Sequence, residues 1–583
     1  MSAPRNTPST ARPAQADRPG GSAATTSAGL DAPYVIVGGG PVGMSLALDL
    51  GWRGIPVILL EQSTHTTANP RCNTTNARSM EYFRRWGLAD RIRRAGLPGD
   101  QATDAVYTTS ITGYELTRFR LSSSDEVFAG TAPEAAEWPT PELQHRISQI
   151  YLEPILEQEL RRYASVTVRR GVRVEGLTQD EDSVTVHGTE MATGRPVSYR
   201  AGYVIGCDGG ASEVRRAVGA RFVGDPRVGD RRMSIHFRSE KLEIPGPRPG
   251  WWYWWHGEHH HGAFMQLDGH SQYLCHARVR EGQDLESADP HLALREAVGR
   301  DFPYEIIDVV RWTPRRMVAD TFRRGRVLLA GDAAHIWVNL GGFGMNAGIA
   351  DAVALSWRLA ALHAGWGTPD LLDDYALERR SVGESTSRAA ASIGGYIEDA
   401  LADPRLHEDT VEGAELRTQV GARLHEVDRA QWHSLGIQLG TRYAGSPGLA
   451  AGTDAEPPEG EGGMGSYVPS VLPGVRLPHF WLAEGDAVFD RLGQGLTLLR
   501  VGSDAPEAAG LVEAARDVGI PLTVLDLPDE AGAVYQRRLV LVRPDMHVAW
   551  SGDEQPEDGP RLLRPLCGFD RTPAATAGEG ASG

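Results

Sequence analysis

The chain contains 583 residues, of which 41% are hydrophobic, and its formal net charge at pH 7 is −17. This length is too great for one hydrophobic core and indicates about three domains. The acidic balance argues against nucleic acid as the main partner, and no apolar run reaches the about 18 residues of a membrane-spanning helix. The four cysteines are far apart and form no CxxC pair, which favours a reducing cytoplasm and predicts neither a disulfide nor a metal site.

Residues 1–32 are rich in Pro, Ala, Ser and Thr, and we expect them to form a disordered tail. Order is expected to begin in the stretch APYVIVGGGPVGMSLALDLGWRGIPVILLEQ, which spans residues 32–62. Its short apolar runs flank a glycine cluster and a segment with helical periodicity. The pattern predicts a strand, a helix and a second strand, which together form a βαβ unit.

Gly38, Gly40 and Gly43 follow the spacing GxGxxG between the first strand and the helix. The first glycine allows a tight turn, the second lets the backbone approach a pyrophosphate, and the third lets the helix pack close to the strand. Glu61 ends the second strand, at the distance along the chain where a carboxylate binds a ribose diol. The pattern predicts a dinucleotide site but does not distinguish NAD from FAD.

The pattern changes from about residue 227 to 310, where strand-like alternation and aromatic runs replace the α/β pattern. The run WWYWWHGEHHH, residues 251–261, permits two hypotheses. Its histidines lack the spacing of metal ligands, so a metal site is disfavoured. Alternate residues of a strand share a face, so Trp252, Trp254 and His256 are candidates for lining an aromatic substrate pocket. The plain alternative is that one face of the strand is core and the other covers an interface.

A second glycine-rich loop lies in VLLAGDAAHIWVNLGGFGMNAGIADA, residues 327–352. Asp332 follows an apolar strand and can bind a ribitol hydroxyl. Three glycines would let the loop backbone reach a flavin ring, namely Gly341, Gly342 and Gly344. We expect a helix after Met345 and Asn346, with its N-terminal N–H groups directed at the pyrimidine edge of the ring. A nicotinamide dehydrogenase needs no such loop, so the two loops together favour FAD.

These motifs resemble the group A flavin monooxygenases of the para-hydroxybenzoate/phenol hydroxylase type, and the likeness covers most of residues 33–400. It rests on GGGPVG with Glu61, on CDGGASEVRR, and on GDAAH followed by GGFGMNAGIADA. The resemblance implies an α/β chain with a Rossmann-like FAD-binding domain and an interleaved β-sheet substrate domain. PGVRLPHFWL and LVRPDMHVAW resemble the C-terminal thioredoxin-like domain of phenol hydroxylases. That domain has no CxxC here, so we expect it to be structural or oligomer-forming.

The cofactor-binding residues that the resemblance implies lie in these segments and beside them. They are Gly38, Gly40, Pro41, Val42, Gly43, Glu61, Gln62, Arg71, Gln149, Asp208, Gly209, Gly331, Asp332, Gly342, Gly344, Met345 and Asn346. In this family the Asp208-Gly209 motif is associated with both FAD and NAD(P)H, and Arg215 follows it. The usual loop prolines are replaced by Val338 and Asn339, which loosens the expected wall beside the flavin. Asn339 adds a polar group there and joins the candidate substrate residues.

We divide the chain into three domains on this basis. The FAD-binding domain comprises residues 33–103, 140–226 and 311–445, and the substrate-binding domain comprises residues 104–139 and 227–310. A linker at residues 446–465, rich in Gly, Pro and Glu, precedes the thioredoxin-like domain at residues 466–583.

The resemblance implies hydroxylation of an electron-rich, phenol-like or hydroxypyridine-like ring, with NAD(P)H and dioxygen, through a flavin C4a-hydroperoxide. The tryptophan run suggests a bulky natural-product intermediate as the substrate. The open alternatives are a Baeyer–Villiger or epoxidising monooxygenase, a flavin oxidoreductase that inserts no oxygen, and a flavoprotein that only binds a ligand. No catalytic base is identified, and His335 fits a hydrogen-bonding residue of the loop better than a base. We expect a cytoplasmic homo-oligomer, a dimer or larger, without nucleic-acid, membrane or metal partners.

Overall fold

The computed structural model describes residues 29–279, 282, 284–338, 340–393, 395–450 and 463–570. The end of the predicted thioredoxin-like domain, residues 571–583, lies outside the described residues, and three other predictions fall wholly or partly outside them. They are Asn339, the predicted tail up to residue 28, and the predicted linker from residue 451 to 462.

An 8-stranded sheet carries the predicted βαβ unit. In spatial order its path is Arg323–Arg324, Val327–Leu329, Arg195–Gly206, Ala32–Val37, Val57–Glu61 and Val166–Arg170, with a hairpin of Val172–Gln179 and Val184–Glu190 attached to Arg195–Gly206. The strands from Val327–Leu329 to Val166–Arg170 are parallel. The central strands are apolar and buried, with Ile36, Leu59 and Val204 at most 1% exposed, as expected for strands covered on both faces. The carboxyl ends of three neighbouring strands therefore meet at one edge, and the two predicted glycine loops leave the sheet there.

Two helices bring the glycine loops together in space. Pro41–Trp52 follows the first loop and Phe343–Ala364 follows the second, and the two helices pack on each other. Gln149–Leu160 packs on the first of these helices, and Asp370–Ala391 packs on the second. This contact fixes the N-termini of both leading helices beside one another.

A 7-stranded sheet faces the edge where the glycine loops lie. Its spatial order is Glu305–Trp312, Arg231–Arg238, Gln272–Val279, His261–Gln266, Trp252–His256, Ala105–Thr108 and Glu115–Phe119. One face packs on the helix Pro290–Val298 through a cluster that includes Ile235, Phe264 and Leu294. The residues that alternate with this apolar set form the opposite face, which turns toward the first sheet.

The C-terminal part contains a 4-stranded sheet in the order Leu522–Leu527, Leu496–Val501, Leu539–Val542 and Val548–Gly552. Helices Ala509–Asp517 and Gly559–Leu566 pack on it, and Trp357 and Trp366 of the preceding part join the same apolar cluster. Buried ion pairs cross this contact, because Glu378 accepts hydrogen bonds from Arg358 and Arg543. The C-terminal sheet is thus anchored through both apolar and ionic contacts.

The other helical segments and short strands connect these layers. The helices are Ala77–Arg85, Ala89–Arg93, Ser124–Phe128, Glu213–Ala217, Gly395–Leu401, Val411–Val427, Arg429–Trp432, Leu435–Gln438 and Gly532–Tyr535. The strands are Phe222–Asp225, Arg316–Ala319 and His335–Ile336, which form one sheet, and the pair Trp481–Ala483 and Asp486–Ala487. The exact domain boundaries remain a prediction.

Candidate active site

A cavity of about 1050 Å³ lies between the 8-stranded and 7-stranded sheets. This volume lies at the upper end of the roughly 300–1,000 Å³ that is typical of small-molecule and cofactor pockets. Fifteen residues predicted for the cofactor or substrate line it: Gly38, Gly40, Pro41, Val42, Glu61, Gln62, Arg71, Gln149, Asp208, Gly209, Trp252, Asp332, Gly342, Gly344 and Met345. Five others do not line it, namely Gly43, Trp254, His256, Gly331 and Asn346.

The first glycine loop leaves open space at the N-terminus of its helix. Gly38 has a φ of +109°, in the region that favours glycine, and a side chain there would overlap the carbonyl of Cys207. A side chain at Gly43 would collide with the carbonyl of Gly38, so Gly43 keeps the helix close to the loop rather than touching a ligand. No atom of the described residues lies within 4 Å of the position that a Cβ would take at Gly40. The free N–H groups and the dipole of this helix suit a pyrophosphate in that space.

The carboxylate of Glu61 is fixed at the edge of the same space. Its Oε2 accepts a hydrogen bond from the N–H of Gly39 at 2.6 Å, and its Oε1 accepts one from the N–H of Ser63 at 2.8 Å. Each carboxylate oxygen has a further lone pair. Glu61 can therefore accept the hydroxyls of a ribose without giving up its contact to the loop.

The second glycine loop turns directly into a helix. Gly341 and Gly342 have φ values of +72° and +67°, so two consecutive residues adopt the left-handed conformation. The helix begins at Phe343 rather than after Asn346, and the sequence-based prediction of its start is wrong by about one turn. The reason is that the glycine pair completes the turn early. The free N–H groups of the first turn thus belong to Gly342 to Met345, and of these residues Gly342, Gly344 and Met345 line the cavity.

Asp332 faces the cavity beside this loop and is exposed to it. Desolvation by the surrounding protein raises the pKa of its carboxyl above the usual range, although His335 and Arg71 act in the opposite direction. A carboxyl group in such a place is stabilised by hydrogen-bond donors from a ligand. The ribitol hydroxyls of a flavin cofactor are donors of this kind.

The side chain of Asn346 holds the loop instead of facing the cavity. Its Nδ2 donates to the carbonyls of Gly342 at 2.6 Å and Thr74 at 2.9 Å, and its Oδ1 accepts from the N–H of Asn76 at 2.9 Å. These bonds connect the second glycine loop, which we call the flavin loop, to the segment that precedes the helix Ala77–Arg85. Asn346 is therefore positioned to set the loop geometry.

The Asp208-Gly209 segment is tied to the second loop. Asp208 accepts hydrogen bonds from the hydroxyl of Ser212 at 2.5 Å and the N–H of Glu213 at 2.7 Å, and burial raises the pKa of its carboxyl. Arg215 stacks on Phe222 and donates to the carbonyl of Ala333 at 3.1 Å. The motif thus supports the backbone next to Asp332.

His335 is held by a buried ionic network. Its Nε2 lies 2.7 Å from Oδ2 of Asp351, whose Oδ1 accepts from Arg379 at 2.6 Å, and its ring stacks on Trp337 at 4.6 Å. Burial acts to raise the pKa of Asp351, but His335 and Arg379 outweigh it and lower that pKa. This geometry gives His335 a hydrogen-bonding role in the loop.

Aromatic side chains surround the end of the cavity beyond the second loop. They are Trp251, Trp252, Trp337 and Trp432. Trp254 is only 3% exposed and packs in the core with Tyr107, and His256 stacks on His261 at the far end of its strand. Successive residues on one face of a strand lie about 6.6 Å apart, so the strand carries Trp254 and His256 away from the cavity. Trp251 precedes the strand and does not follow its alternation, which is why it lines the cavity beside Trp252.

The cavity also contains residues that sequence reasoning missed. Gln431 and Trp432 come from the short helix Arg429–Trp432, and Gln144, Arg146 and His276 add polar groups at the same end. Burial lowers the pKa of His276 to about 3, so its imidazole is neutral at pH 7. No local motif marks these residues, because only long-range packing brings them to the cavity.

Two absences concern the described part of the chain. There, no group of three or more His, Cys, Asp and Glu side chains is placed to hold a metal ion. None of its helices has the length and apolar character needed to span a membrane. The predicted histidine run is occupied otherwise, since His259 and His260 both contact Glu296 at 2.9 Å.

Comparison with known proteins agrees with the geometry. The FAD binding domain family matches residues 31–390, and the aromatic-ring hydroxylase C-terminal family matches residues 470–568. A FAD-dependent monooxygenase, apdD, of Emericella nidulans is 32% identical over 92% of this chain and 90% of its own length. Aklavinone 12-hydroxylase RdmE of Streptomyces purpurascens is 30% identical over 91% of this chain and 97% of its own length.

Solved structures show the same likeness in three dimensions. The rebeccamycin biosynthetic enzyme RebC with bound 7-carboxy-K252c has a TM-score of 0.84 and 34% identity, over 92% of this chain and 99% of that one. Aklavinone-11 hydroxylase with FAD and aklavinone has a TM-score of 0.77 and 28% identity, over 92% and 99% of the two chains. The family matches, the shared fold and the two glycine loops lead to one conclusion: this chain is a FAD-dependent monooxygenase of the aromatic-ring hydroxylase family.

Proposed function

We propose that this enzyme uses NAD(P)H and dioxygen to hydroxylate an electron-rich ring of a bulky, polycyclic natural-product intermediate. The observation that carries this proposal is the continuity of the cavity. It runs from Gly40 and Glu61, which suit the adenosine diphosphate end of FAD, past Asp332 to the tryptophan-lined end. One cavity thus has a place for the cofactor and a place for an aromatic substrate next to it.

The residues present fit FAD at both ends. The open space at Gly40 suits the pyrophosphate, Glu61 suits the ribose, and the N–H groups of Gly342 to Met345 suit the pyrimidine edge of the ring. FAD, when bound, supplies the redox chemistry by which dioxygen is activated and one oxygen atom reaches the substrate. The protein supplies binding, orientation and the exclusion of water.

The chain's own residues orient a substrate through an aromatic wall and a few polar groups. Trp252 and Trp432 lie 5.8 Å apart with rings at 68°, so a flat ligand can stack on one and meet the edge of the other. Gln144 and Gln431 supply amide donors and acceptors at this end. Such a pocket excludes water from the reacting ring and favours polycyclic over monocyclic ligands.

NAD(P)H is proposed as a transient reductant. The chain has one complete dinucleotide fingerprint, which the fold assigns to FAD, so the nicotinamide cofactor needs a different and shallower site. Named relatives support both the chemistry and the size of the substrate, since they include a phenol 2-monooxygenase, an aklavinone 12-hydroxylase and a tetracenomycin B2 monooxygenase-dioxygenase. The same proposal places the enzyme in the cytoplasm as a homo-oligomer, with its cysteines as free thiols.

The test is a turnover assay under ¹⁸O-labelled dioxygen with the FAD-loaded protein. NADH and NADPH are each offered with polycyclic phenols, hydroxyquinones and monocyclic phenols, and products are read by mass spectrometry. The proposal predicts ligand-stimulated oxidation of the nicotinamide and one labelled oxygen on an intact ring. Ligand-stimulated oxidation that yields only hydrogen peroxide with every ligand, or labelled oxygen within an expanded ring or an epoxide, would contradict it.

A further inference from the structure

Arg146 is a buried cation at the substrate end of the cavity, and it has no carboxylate partner in the described part of the chain. Its side chain is 3% exposed, and among the described residues none of the ion pairs within 4 Å involves it. Its two hydrogen bonds go to neutral acceptors, from Nη1 to the hydroxyl of Thr74 at 3.0 Å and from Nη2 to the amide oxygen of Gln144 at 3.1 Å. Burial lowers its pKa to about 10, which still leaves the guanidinium charged at pH 7.

A buried charge is costly unless a counter-charge compensates it. The carboxyl group with the largest electrostatic effect on Arg146 is Glu134, and Glu134 is occupied by the backbone N–H and hydroxyl of Ser122. Of the four other arginines of the cavity lining, Arg71 lies in the field of Asp332 at the cofactor end, and three have a carboxylate partner: Arg170 pairs with Glu157, Arg173 with Glu175, and Arg216 with Glu213. Arg146 differs from these three because its nearest contacts are rings and neutral groups.

The position of Arg146 points to the substrate and not to the adenosine end of FAD. Its guanidinium lies 4.9 Å from the ring of Trp251 and 5.9 Å from that of Trp432. Thr74, which it contacts, packs against Gly342 in the flavin loop. The cation therefore sits between the aromatic wall and the place proposed for the flavin ring. Two of its five N–H donors are used by the described residues, which leaves three for a ligand.

We propose that Arg146 binds a carboxylate of the substrate, so that the substrate is a planar, polycyclic aromatic acid. This inference rests on the proposed function and narrows its substrate class. The forked guanidinium matches a carboxylate, and the flanking indoles match a flat ring system bonded to that carboxylate. The aromatic ring system of the substrate then lies beside the flavin loop, and its carboxylate determines which edge of the ring system faces that loop.

Binding of a matched pair of probes tests the assignment without turnover. The probes are 3-hydroxy-2-naphthoic acid and 2-naphthol, which differ by one carboxylate. Dissociation constants are read from the perturbation of the flavin absorption band in the FAD-loaded wild type and in the Arg146→Gln, Arg146→Lys and Arg216→Gln variants. Arg216→Gln is the control, because it removes a positive charge from the cavity mouth that already has a partner. FAD content and the flavin redox potential are measured for each variant.

The expected result is that Arg146→Gln weakens binding of the acid by about 10- to 100-fold, as loss of a hydrogen bond to a charged group does, and changes the affinity for 2-naphthol less than about twofold. Arg146→Lys is expected to lie between, and Arg216→Gln to leave the ratio of the two affinities unchanged. If Arg146→Gln does not fold, Arg146→Lys tests the assignment through the same ratio of the affinities for the acid and for 2-naphthol.

Three results would overturn the assignment. They are equal losses for both probes in the Arg146 variants, a wild type that binds the acid no better than 2-naphthol, and a loss of FAD or a shifted redox potential without any change in the ratio. The last result would make Arg146 a cofactor or packing residue. None of these outcomes depends on oxygen insertion, so a failure of the proposed hydroxylation would be recognised separately in the ¹⁸O assay.

Discussion

Replacement of Gly342 by alanine tests whether the second glycine loop is shaped for the flavin. Gly342 has a φ of +67°, and a Cβ there would lie 2.6 Å from the Cβ of Thr74. The left-handed conformation costs an alanine about 1–2 kcal/mol, and overpacking against Thr74 adds about 1–3 kcal/mol. The protein without cofactor can relieve the overlap by moving the loop, but the complex needs the loop in place. The cost of the overlap with Thr74 therefore lowers the affinity for FAD.

The matched control is Gly365→Ala at the other end of the same helix. Gly365 has a φ of +79°, and in the described part of the chain no atom lies within 4 Å of the Cβ position, so this variant has the backbone strain without the overlap. The assay is titration of the cofactor-free protein with FAD, together with thermal unfolding. At about 1.4 kcal/mol per tenfold, the overlap predicts a dissociation constant raised about 5- to 140-fold for Gly342→Ala and unchanged for Gly365→Ala. Equal FAD affinity in both variants would refute the reasoning.

Three further predictions concern the substrate wall, the C-terminal contact and a buried acid. Trp252→Ala should weaken binding of a polycyclic phenol, measured by flavin absorption, and leave the FAD content unchanged. Trp254→Ala should instead leave ligand affinity unchanged and lower the unfolding temperature, because it creates a core cavity that costs about 3–5 kcal/mol. The reverse pattern would contradict the assignment of Trp252 to the substrate wall. Glu378→Gln should destabilise by about 3–5 kcal/mol, because it leaves Arg358 and Arg543 with Asp545 alone. Buried arginines lower the pKa of Glu378 to about 2, so its contribution to the stability of the folded protein is present above pH 4.5 and is lost as pH falls toward 2. The unfolding temperatures of wild type and variant should therefore converge between pH 4.5 and 2. A constant difference between them over that range would count against this role of Glu378. Burial raises the pKa of Asp428 to about 7 despite its hydrogen bonds to Tyr107 and Trp432. Because the unfolded chain releases this proton at lower pH than the folded protein, the folded protein loses stability as pH rises from about 4 to 7. Asp428→Asn should therefore gain stability relative to wild type in that range, and no gain would show that the carboxylate is adequately solvated.

Most residues at the predicted cofactor end of the cavity could be picked out from the sequence because their determinants are local. Gly38, Gly40, Gly43 and Glu61 lie within one βαβ unit, where spacing alone fixes which residues meet. The second loop was recognisable for a similar reason, since a strand, an acid and a glycine run follow one another between Val327 and Met345. The start of its helix was misplaced, because the sequence does not show which glycines adopt positive φ, and Gly331 and Asn346 do not line the cavity as expected.

The substrate end was predicted poorly because it depends on contacts between distant segments. Trp252 was found through strand alternation, but the same rule wrongly grouped Trp254 and His256 with it, since alternation gives the face and not the distance along the strand. Arg146 and Trp432 are separated by almost 300 residues and share the cavity only after the helix Arg429–Trp432 packs on Tyr107. A single sequence contains no local signal for such a wall.

The most direct test of the central claim, that one cavity holds both FAD and the aromatic substrate, is a crystal structure of the protein with FAD and a polycyclic aromatic acid. The account predicts the pyrophosphate at Gly40, the ribose at Glu61, the flavin ring against Gly341 to Met345, and the aromatic ligand between that ring and Trp252. A flavin ring bound elsewhere, or an aromatic ligand outside the wall of Trp252 and Trp432, would contradict it.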